Sequence, residues 1–210
     1  MISPPGFSGA VFGEAGDGDP RHQQEARILF TGALGLPDHW AWANQVHGSN
    51  ILTVHAPGGA GDGDGLLTDT SDLALVVATA DCVPVIIEGE RTTAVVHAGW
   101  RGMAAGVVEA GVARMTAAGD RPLRAAIGPS IGPCCYEVGP EVVAVMEEHT
   151  STTSWWTQSV DLWSAAEAQL GDVDTVWRAD VCTFTDHRFR SHRRDRTDLR
   201  QVAVAWLRKD

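Results

Sequence analysis

The stretch Leu73–Ala98, LALVVATADCVPVIIEGERTTAVVHA, decides the fold class of this chain. It contains three short β-branched runs, Leu73–Thr79, Val83–Glu88 and Thr92–His97. Asp, Pro and Gly residues separate the runs and favour turns between them. The runs therefore predict three successive strands, and Ile51–His55 predicts a further strand upstream.

Helical patterns flank these strands. Asp19 and Pro20 predict the start of a helix that continues to Leu34, and Gly35 and Pro37 predict its end. Later elements are predicted as helices over Gly102–Ala118 and Pro140–Glu148, a helix capped by Asp161, and strands over Val173–Arg178 and Gln201–Leu207. The order of elements predicts a mixed α/β fold.

Two common nucleotide-binding architectures are disfavoured. The segment Gly58–Gly65, GGAGDGDG, predicts a flexible acidic loop, and it lacks the lysine that a phosphate-binding P-loop requires. A G-x-G-x-x-G turn is missing at every predicted strand-to-helix junction, which argues against a dinucleotide-binding fold. Since neither an internal repeat nor a linker is evident, one domain over residues 1–210 is predicted.

Composition restricts the partners of this domain. The 210 residues carry 27 acidic and 16 basic side chains, for a formal net charge of -11. Such a surface repels nucleic-acid phosphates and anionic lipid headgroups, so neither partner is expected. One local exception is the basic run Arg188–Arg200, which is either a local anion site or a set of solvated arginines.

The same composition predicts a cytoplasmic protein. The first residues, MISPP, contain neither a cationic leader nor a long apolar run, and the apolar run Leu73–Ala80 is too short to span a bilayer. Four cysteines, two of them adjacent, make a poor disulfide framework for a chain of this size. Reduced thiols in the cytoplasm are therefore expected.

Three candidate metal ligands, His47, Cys82 and His97, lie at or beside the ends of predicted strands. Imidazole and thiolate ligands together suit Zn²⁺, and three protein ligands leave a fourth position for water, as in catalytic zinc sites. Two other interpretations are open. The residues are a buried cysteine and two ordinary histidines, or Cys82 is a nucleophile that His97 activates as a base.

Four motifs in the same order resemble the bacterial YfiH-like family, which is also called polyphenol oxidase, laccase-domain protein or purine nucleoside phosphorylase. The motifs are QVHG at 45–48, TADCVP at 79–84, HAGWRG at 97–102 and IGPSIGPCCYEV at 127–138. The resemblance extends over residues 44–207. It implies a compact fold with mixed sheets between helices, related to bacterial deamidating toxins that use a cysteine and a histidine.

The resemblance also implies a chemistry. It implies zinc at His47, Cys82 and His97, and phosphorolysis of adenosine, inosine and methylthioadenosine to the base and a pentose 1-phosphate. Adenosine deamination is implied as well, although the His-x-Glu and Pro-Cys-x-x-Cys signature of the zinc deaminase fold is absent. The expected partners are purine nucleoside and phosphate, and the expected state is a monomer.

Two arginines are candidates for holding phosphate. Arg101 follows the predicted His97 strand in a glycine-flanked turn and is expected to hold phosphate through paired N–H groups. Arg194 supplies a second positive charge to substrate, or it forms a salt bridge with Asp195 or Asp180.

Two neighbours of the motifs have open roles. Asp81 orients an imidazole, carries a proton, or makes a turn or cap. Tyr136, which follows Cys135, stacks on a purine at the pocket rim, or both residues pack in the core. The remaining histidines are predicted to be surface or core residues without a catalytic role: His22, His39, His55, His149, His187 and His192.

Two segments depart from the family pattern. Residues 191–195, SHRRD, match the family, but Asp198–Arg200, DLR, stands where Thr-Gly-Arg is usual. The missing glycine predicts an altered turn. Ser8–Gly13 poorly replaces the usual Thr-Arg-x-Gly-Gly-x-Ser segment, which predicts an altered substrate pocket and a narrower activity.

Three other functions compete with phosphorolysis. A His₂Cys set can also hold copper for phenol oxidation, but the chain has 8 histidines and no His-x-His pair, which allows one copper at most. The family's link to cell-wall editing implies amide hydrolysis of wall precursors through Cys82 or a metal-activated water. A metal-storing or partner-binding module is the alternative outside the enzymes.

Overall fold

Two mixed β-sheets form the centre of the molecule in a computed structural model that describes residues 1–36 and 38–208. The strands within these ranges are β1 (Ala10–Phe12), β2 (Trp40–Asn44), β3 (Ile51–Thr53), β4 (Gly58–Asp62), β5 (Gly65–Thr68), β6 (Ala74–Thr79), β7 (Val83–Glu88), β8 (Thr93–Ala98), β9 (Arg124–Ile127), β10 (Thr150–Thr152), β11 (Gln158–Val160), β12 (Thr175–Arg178) and β13 (Gln201–Ala205). The helices are α1 (Gln24–Leu34), α2 (Trp100–Ala104), α3 (Val107–Ala117), α4 (Pro140–Val145), α5 (Leu162–Leu170) and α6 (His192–Asp195), with a 3₁₀ turn at Glu147–His149.

The first sheet has the strand order β1-β13-β6-β2-β4, and the second has the order β12-β9-β7-β8-β5-β3. Both sheets are mixed. In the first, β13 is antiparallel to β6 while β2 is parallel to β6; in the second, β7 is antiparallel to β8 while β12 is parallel to β9. Strands β10 and β11 form a separate antiparallel pair. The prediction of a mixed α/β fold is confirmed.

Side-chain alternation explains how the sheets are stacked. On β6, Leu75 and Val77 pack between the sheets, whereas Val76 packs with Phe30 of α1 on the outer face. On β7, Ile86 points between the sheets while its neighbours pack with α3 and α5. Because successive strand residues face opposite sides, these strands are apolar at almost every position. The result is a four-layer arrangement of helix, sheet, sheet and helices.

Three predicted helices differ in extent from the observed ones. Helix α1 begins at Gln24, because the Asp19 carboxylate accepts the Arg21 backbone N–H and closes a preceding turn. The segment predicted as one helix from Gly102 is divided into α2 and α3 by Gly106, whose φ of 74° no regular helix contains. Helix α4 begins at Pro140 as predicted, but it ends earlier and gives way to the 3₁₀ turn.

Two further helix-boundary predictions concern Asp161 and Pro37. The predicted cap at Asp161 is confirmed, because its carboxylate accepts the backbone N–H groups of Trp163 and Ser164 at 3.0 and 3.1 Å. Pro37, predicted to help end the first helix, lies outside the described residues. No helix in the described ranges reaches the length and apolarity that a bilayer crossing requires.

The glycine-rich segment predicted as a flexible loop is ordered. It forms β4, which pairs with β2, and it then enters β5. Backbone pairing needs no side chain, so the absence of apolar residues concealed this edge strand. Gly65 packs closely, because a Cβ atom there would lie 2.4 Å from Cδ1 of Ile51 and 3.3 Å from the Val95 carbonyl oxygen. The predicted strands over the other β-branched runs are confirmed: Val83–Glu88 has the predicted bounds, the strand predicted over Thr92–His97 is shifted by one residue, and the rest are shorter than expected.

Candidate metal centre

His47, Cys82 and His97 converge at one point, although they are far apart in sequence. Their ligand atoms all lie within 4.8 Å of one another. The Sγ atom of Cys82 is 4.0 Å from Nε2 of His47, and the two imidazole rings are 4.8 Å apart at an angle of 82°. The sheets produce this meeting: the chain leaves β6 of the first sheet at residue 80, passes Cys82, and enters β7 of the second, beside the end of β8 that carries His97.

Asp64 orients this cluster, and the sequence patterns did not single it out. Its fully buried carboxylate accepts a hydrogen bond from Nδ1 of His97 at 2.8 Å. It also accepts the backbone N–H groups of Val46, His47 and Gly48 at 3.3, 2.9 and 2.6 Å. One carboxylate therefore holds both the His97 ring and the loop that carries His47. Nε2 of His97 is left to face the cluster.

A side-chain amide guides the same loop. Gln45 donates through Nε2 to the carbonyl of Ala78 and accepts from the Ala78 N–H through Oε1, both at 2.8 Å. The amide thus continues the β2–β6 pairing where the backbone has already turned away. His47 follows with a φ of 59°, a left-handed conformation that the Asp64 hydrogen bonds hold in place.

Gly99 allows the three ligands to approach closely. A Cβ atom at this position would lie 2.9 Å from Cδ2 of His47 and 3.1 Å from Sγ of Cys82. Both neighbours belong to the cluster, so any larger residue must displace a ligand. This requirement explains the glycine after His97-Ala98 in physical terms.

The electrostatics of the cluster favour a thiolate beside an imidazolium. Burial alone would raise the pKa of Cys82, but the positive charge of His97 and the hydrogen bonds from both histidines lower it to about 6. Burial alone would lower the pKa of His97, but the Cys82 charge and the Asp64 hydrogen bond raise it to about 9. A thiolate is the form of cysteine that binds metals and attacks electrophiles.

The donor set fits a zinc ion. Two imidazole nitrogens and one thiolate are ligands that Zn²⁺ prefers, and a carboxylate behind a ligating histidine is the usual outer partner. His47, Cys82 and His97 would supply three bonds of a tetrahedron, which leaves one position for a water or a substrate. The same His₂Cys set is also compatible with copper, so both metals fit these ligands.

A cleft with a volume of about 660 Å³ opens onto the cluster. Its lining includes the three ligand residues, Trp42 of β2, and Gly59 and Gly61 of β4. One side is basic, and the residues that form this basic wall are Arg21, His22, His192 and Arg200. His22 and His192 are exposed surface residues, as predicted, and the turn before α1 and the start of α6 bring both to the cleft.

The two arginines of the basic wall differ in how much of their charge is available. Arg21 is paired with Asp19, with Nη2 and Oδ2 2.7 Å apart. Arg200 donates through Nη1 to the carbonyls of Thr197 and Leu199, both at 3.0 Å. Its Nε and Nη2 groups have no hydrogen-bond partner in the described part of the chain. Arg200 thus offers the less compensated charge.

Of the two segments that depart from the family pattern, Asp198–Arg200 reaches this cleft, because Arg200 lines it. The residue with a left-handed backbone next to this segment is Arg196, with a φ of 54°. The backbone N–H of Leu199 donates to Oγ1 of Thr197 at 3.0 Å. The second segment is Ser8–Gly13, in which residues 10–12 form β1. None of its residues is among the described residues that line the cleft.

Asp81 lies beside Cys82 but faces away from the imidazoles. Its carboxylate accepts from Oγ1 of Thr183 and from the backbone N–H of Arg193, both at 2.7 Å. It adopts a left-handed φ of 87°. These contacts correspond to the turn interpretation, since they tie the Cys82 turn to two distant loops. The carboxylate that orients an imidazole is Asp64 instead.

Arg101 and Tyr136 lie near the candidate ligands, but neither is among the described residues that line the 660 Å³ cleft. The exposed guanidinium of Arg101 covers the Trp100 ring, 4.3 Å from its centroid. The half-buried Tyr136 ring lies under Arg193 at 5.1 Å. Burial and the charge on Cys82 raise the pKa of Tyr136 to about 12, which the Arg193 and Arg101 charges oppose. Tyr136 therefore stays protonated beside Cys82.

Arg194 forms the salt bridge with Asp195 that was the alternative to substrate binding. Its Nε and Nη2 donate to Asp195 at 2.8 and 2.7 Å. The other N–H groups donate to the carbonyls of Thr183, Phe184 and Phe189. All five donors of the guanidinium are thus engaged within the protein. The alternative partner, Asp180, pairs with Arg178 instead.

Comparison with known proteins identifies the family. A family model described as multi-copper polyphenol oxidoreductase laccase matches residues 2–208. The chain also resembles the purine nucleoside phosphorylase YfiH of Escherichia coli, with 33% identity over 98% of this chain and 89% of that protein. The chain belongs to the YfiH-like family.

Other members of the YfiH-like family agree in sequence and in structure. A purine nucleoside phosphorylase of Streptomyces griseus is 37% identical over 96% of this chain and 90% of its own length. The crystal structure of YlmD from Geobacillus stearothermophilus superimposes with a TM-score of 0.84 at 31% identity, covering 98% of this chain and 94% of that chain. YfiH of Bacillus licheniformis superimposes with a TM-score of 0.83 at 26% identity, over 94% and 92% of the two chains. The predicted family and fold are confirmed.

Proposed function

We propose that this chain is a zinc-dependent purine nucleoside phosphorylase that acts on adenosine, inosine and methylthioadenosine. The observation that carries the proposal is that the His47, Cys82 and His97 cluster opens onto a cleft of about 660 Å³. The same cleft has a basic wall, which phosphate binding requires. Ligand sites of small molecules commonly have volumes of about 300–1,000 Å³. The names of the YfiH-like relatives support the same reaction.

The basic wall is the proposed phosphate site. Arg200 holds phosphate oxygens through its N–H groups that are not engaged with the protein, and the nearby His22 and His192 donate further hydrogen bonds. Arg21 contributes less, because Asp19 already neutralises it. This assignment replaces Arg101 and Arg194 of the sequence-based hypothesis as the principal phosphate ligands.

The reaction exchanges one bond at the ribose for another. An oxygen of phosphate forms a bond to the anomeric carbon, and the bond from that carbon to the purine nitrogen breaks. The bonding electrons leave with the purine, which takes up the proton that hydrogen phosphate loses and departs as the neutral base. The products are the base and a pentose 1-phosphate, so atoms and electrons balance without an oxidant or a reductant.

The residues around the cleft contribute to this exchange in separate ways. Zinc, when bound, supplies Lewis-acid stabilisation of developing negative charge. Asp64 keeps the ligand histidines in place, so that little reorganisation is needed during the reaction. The half-buried Trp42 offers an aromatic face to the purine. The basic wall binds phosphate in the same cleft, and Arg200 orients the phosphate toward the sugar.

The test measures base release from inosine and adenosine with and without inorganic phosphate. Wild type is expected to release hypoxanthine or adenine only when phosphate is present, and to contain about one zinc per chain. His47→Ala is expected to lose both zinc and turnover. Arg200→Ala is expected to keep zinc but to raise the KM for phosphate by about 10-fold or more, since a charge-assisted hydrogen bond contributes roughly 1.5–3 kcal/mol.

Arg208→Ala is the matched control, because Arg208 is exposed and does not line the cleft. It should leave the KM for phosphate unchanged. Base release from wild type that does not depend on phosphate would contradict phosphorolysis. An unchanged phosphate KM in Arg200→Ala would contradict the phosphate site while leaving the reaction intact.

Two further activities are distinguished in the same samples. Adenosine deamination releases ammonia without phosphate, and it is proposed as a secondary reaction of the same zinc site. Phenol oxidation is the copper alternative, favoured by the description of the matching family model. It requires that copper-loaded protein oxidise a phenol with oxygen and that zinc-loaded protein does not. Amide hydrolysis of wall precursors and pure metal storage both predict zinc without base release.

We also propose that the protein works as a cytoplasmic monomer. All four cysteines are free thiols in the structure, as expected in a reducing compartment. Light scattering coupled to size-exclusion chromatography should give a mass near 22.4 kDa, and a value near twice that mass would contradict the monomer.

A further inference from the structure

A second group of potential ligands lies outside the cleft and is formed by Cys134, Cys135 and Cys182. Their three Sγ atoms lie within 4.8 Å of one another, and those of Cys134 and Cys135 are 3.0 Å apart. The proposed function does not use these thiols. We refer to the group as the three-thiol cluster.

The topology of the second sheet creates the three-thiol cluster. Strands β9 and β12 are parallel neighbours, and the loops that follow them therefore leave the same edge of the sheet. The first loop carries Cys134 and Cys135, and the second carries Cys182. An isolated bridge between Ser130 and Cys182 fastens the two loops, with the Thr183 N–H donating to the Ser130 carbonyl at 3.0 Å. The position of the three sulfurs is thus determined by backbone pairing.

The surroundings of the sulfurs are apolar and orient one of them. Cys135 and Cys182 are buried with Ile131, and Trp163 and Phe184 pack against them. The backbone N–H of Gly132 donates to Sγ of Cys182 at 3.2 Å, which favours a thiolate at that position. Cys134 is only half-buried and provides access from solvent.

We propose that the three-thiol cluster binds one copper(I) ion in trigonal sulfur coordination. Thiolates are soft ligands that select copper(I), zinc or iron–sulfur clusters. Structural zinc requires four ligands, and the described residues offer three at this point. Three sulfurs placed about 2.3 Å from a central ion, a typical metal–sulfur distance, lie roughly 4 Å apart. The sulfurs of the cluster lie within 4.8 Å of one another, and the 3.0 Å contact between Cys134 and Cys135 would lengthen when the half-buried Cys134 side chain rotates.

The cluster is adjacent to the candidate zinc site yet separate from it. The Ile131 N–H donates to the Asp81 carbonyl at 2.9 Å, and Oγ1 of Thr183 donates to the Asp81 carboxylate at 2.7 Å. Both cysteine-bearing loops therefore contact the turn that holds Cys82. No ligand is shared between the two groups. The proposal is independent of phosphorolysis.

The test is an anaerobic titration of Cys82→Ala with copper(I) in the presence of bicinchoninate, a competing copper(I) chelator. This variant lacks the thiolate of the first site, so thiolate-bound copper reports on the three-thiol cluster. We expect one equivalent of copper per chain to be withdrawn from the chelator, with near-ultraviolet thiolate-to-copper charge transfer. X-ray absorption at the copper edge is expected to show three sulfur neighbours.

Cys82→Ala/Cys134→Ser is the comparison variant, because the half-exposed Cys134 tolerates serine better than the buried Cys182 does. We expect its copper(I) affinity to fall by at least about 10-fold, the loss seen even for an outer partner of a metal ligand. Thermal unfolding of both proteins is the folding control. As a second measurement, copper(I) is expected to protect Cys134 of Cys82→Ala from N-ethylmaleimide.

Three results would overturn the proposal. The first is that Cys82→Ala leaves all copper with the chelator. The second is nitrogen or oxygen coordination in place of three sulfurs. The third is equal copper affinity in folded Cys82→Ala and Cys82→Ala/Cys134→Ser.

Discussion

Asp64→Asn is the substitution that most directly tests how the metal site is built. Oδ1 of Asp64 accepts from Nδ1 of His97 and from the His47 N–H, and Oδ2 accepts from the N–H groups of Gly48 and Val46. Asparagine has nearly the same volume but a single acceptor oxygen. Its NH₂ group must face two of these four donors, which leaves two buried N–H groups unpaired.

The magnitude follows from these contacts. Each stranded buried donor costs about 1–3 kcal/mol, and the 3.3 Å contact to Val46 lies at the weak end, so the free energy of unfolding should fall by about 2–4 kcal/mol. The zinc affinity should fall by about 10- to 100-fold, or roughly 1.4–2.8 kcal/mol, because the His97 ring loses its outer partner. Urea unfolding of metal-free protein and chelator competition measure the two effects separately.

Asp62→Asn is the matched control. Asp62 lies two residues away in the same glycine-rich segment and is exposed, and among the described residues its carboxylate accepts a hydrogen bond only from the Asn44 side chain. It should change the free energy of unfolding by less than about 0.5 kcal/mol and leave zinc binding unchanged. If Asp64→Asn bound zinc as tightly as wild type, the assignment of Asp64 as the orienting group would be refuted.

Acid should reproduce part of the Asp64→Asn effect in the wild type. Burial would raise the pKa of Asp64, but the hydrogen bonds from His97, Gly48 and His47 and the charge of His97 hold it below its ordinary value. The carboxylate therefore stabilises the fold above the pKa of the unfolded chain. This contribution is lost as the pH falls through the lowered value.

Three other predictions follow from the same geometry. Gly99→Ala should fold but bind zinc at least about 10-fold more weakly, because its Cβ would press on His47 and Cys82; an unchanged zinc affinity in competition titrations would contradict the steric argument. In metal-free protein, Cys82 should react with iodoacetamide at neutral pH, since its pKa is about 6, and His97→Gln should slow that reaction by removing the positive charge; equal rates in the two proteins would show that His97 does not activate the thiol. Asp120→Asn should lower the free energy of unfolding by about 2–4 kcal/mol without changing zinc affinity, because the buried Asp120 carboxylate accepts five hydrogen bonds far from the ligands; a loss below 1 kcal/mol in urea titrations would contradict it.

The candidate metal ligands could be chosen from the sequence, but the residue that orients them could not. His47, Cys82 and His97 stand in motifs, and their side chains have the right chemistry for zinc. Asp64 lies in a glycine-rich run that resembles an unstructured loop, and nothing local distinguishes it from Asp62. Its role arises because β4 and β5 bring this run beside β8.

The phosphate hypothesis illustrates the same limit. The motif around Arg194 predicts a phosphate ligand, but a guanidinium can bind substrate only where its N–H groups are free. Arg194 spends all five within the protein. Arg200 belongs to a turn that departs from the family pattern, yet it lines the cleft.

By itself, the sequence determined the α/β class, the strands β6 to β8 and the metal-ligand types, because hydrophobic periodicity and side-chain chemistry are local properties. Only the tertiary structure decided that a glycine-rich edge strand carries the orienting carboxylate, which arginine faces the cleft, and that three cysteines meet beyond two parallel strands. Those outcomes depend on pairing between segments far apart in the chain. Such pairing is selected by the burial and hydrogen bonding of the whole fold and leaves no periodic signal in any one segment.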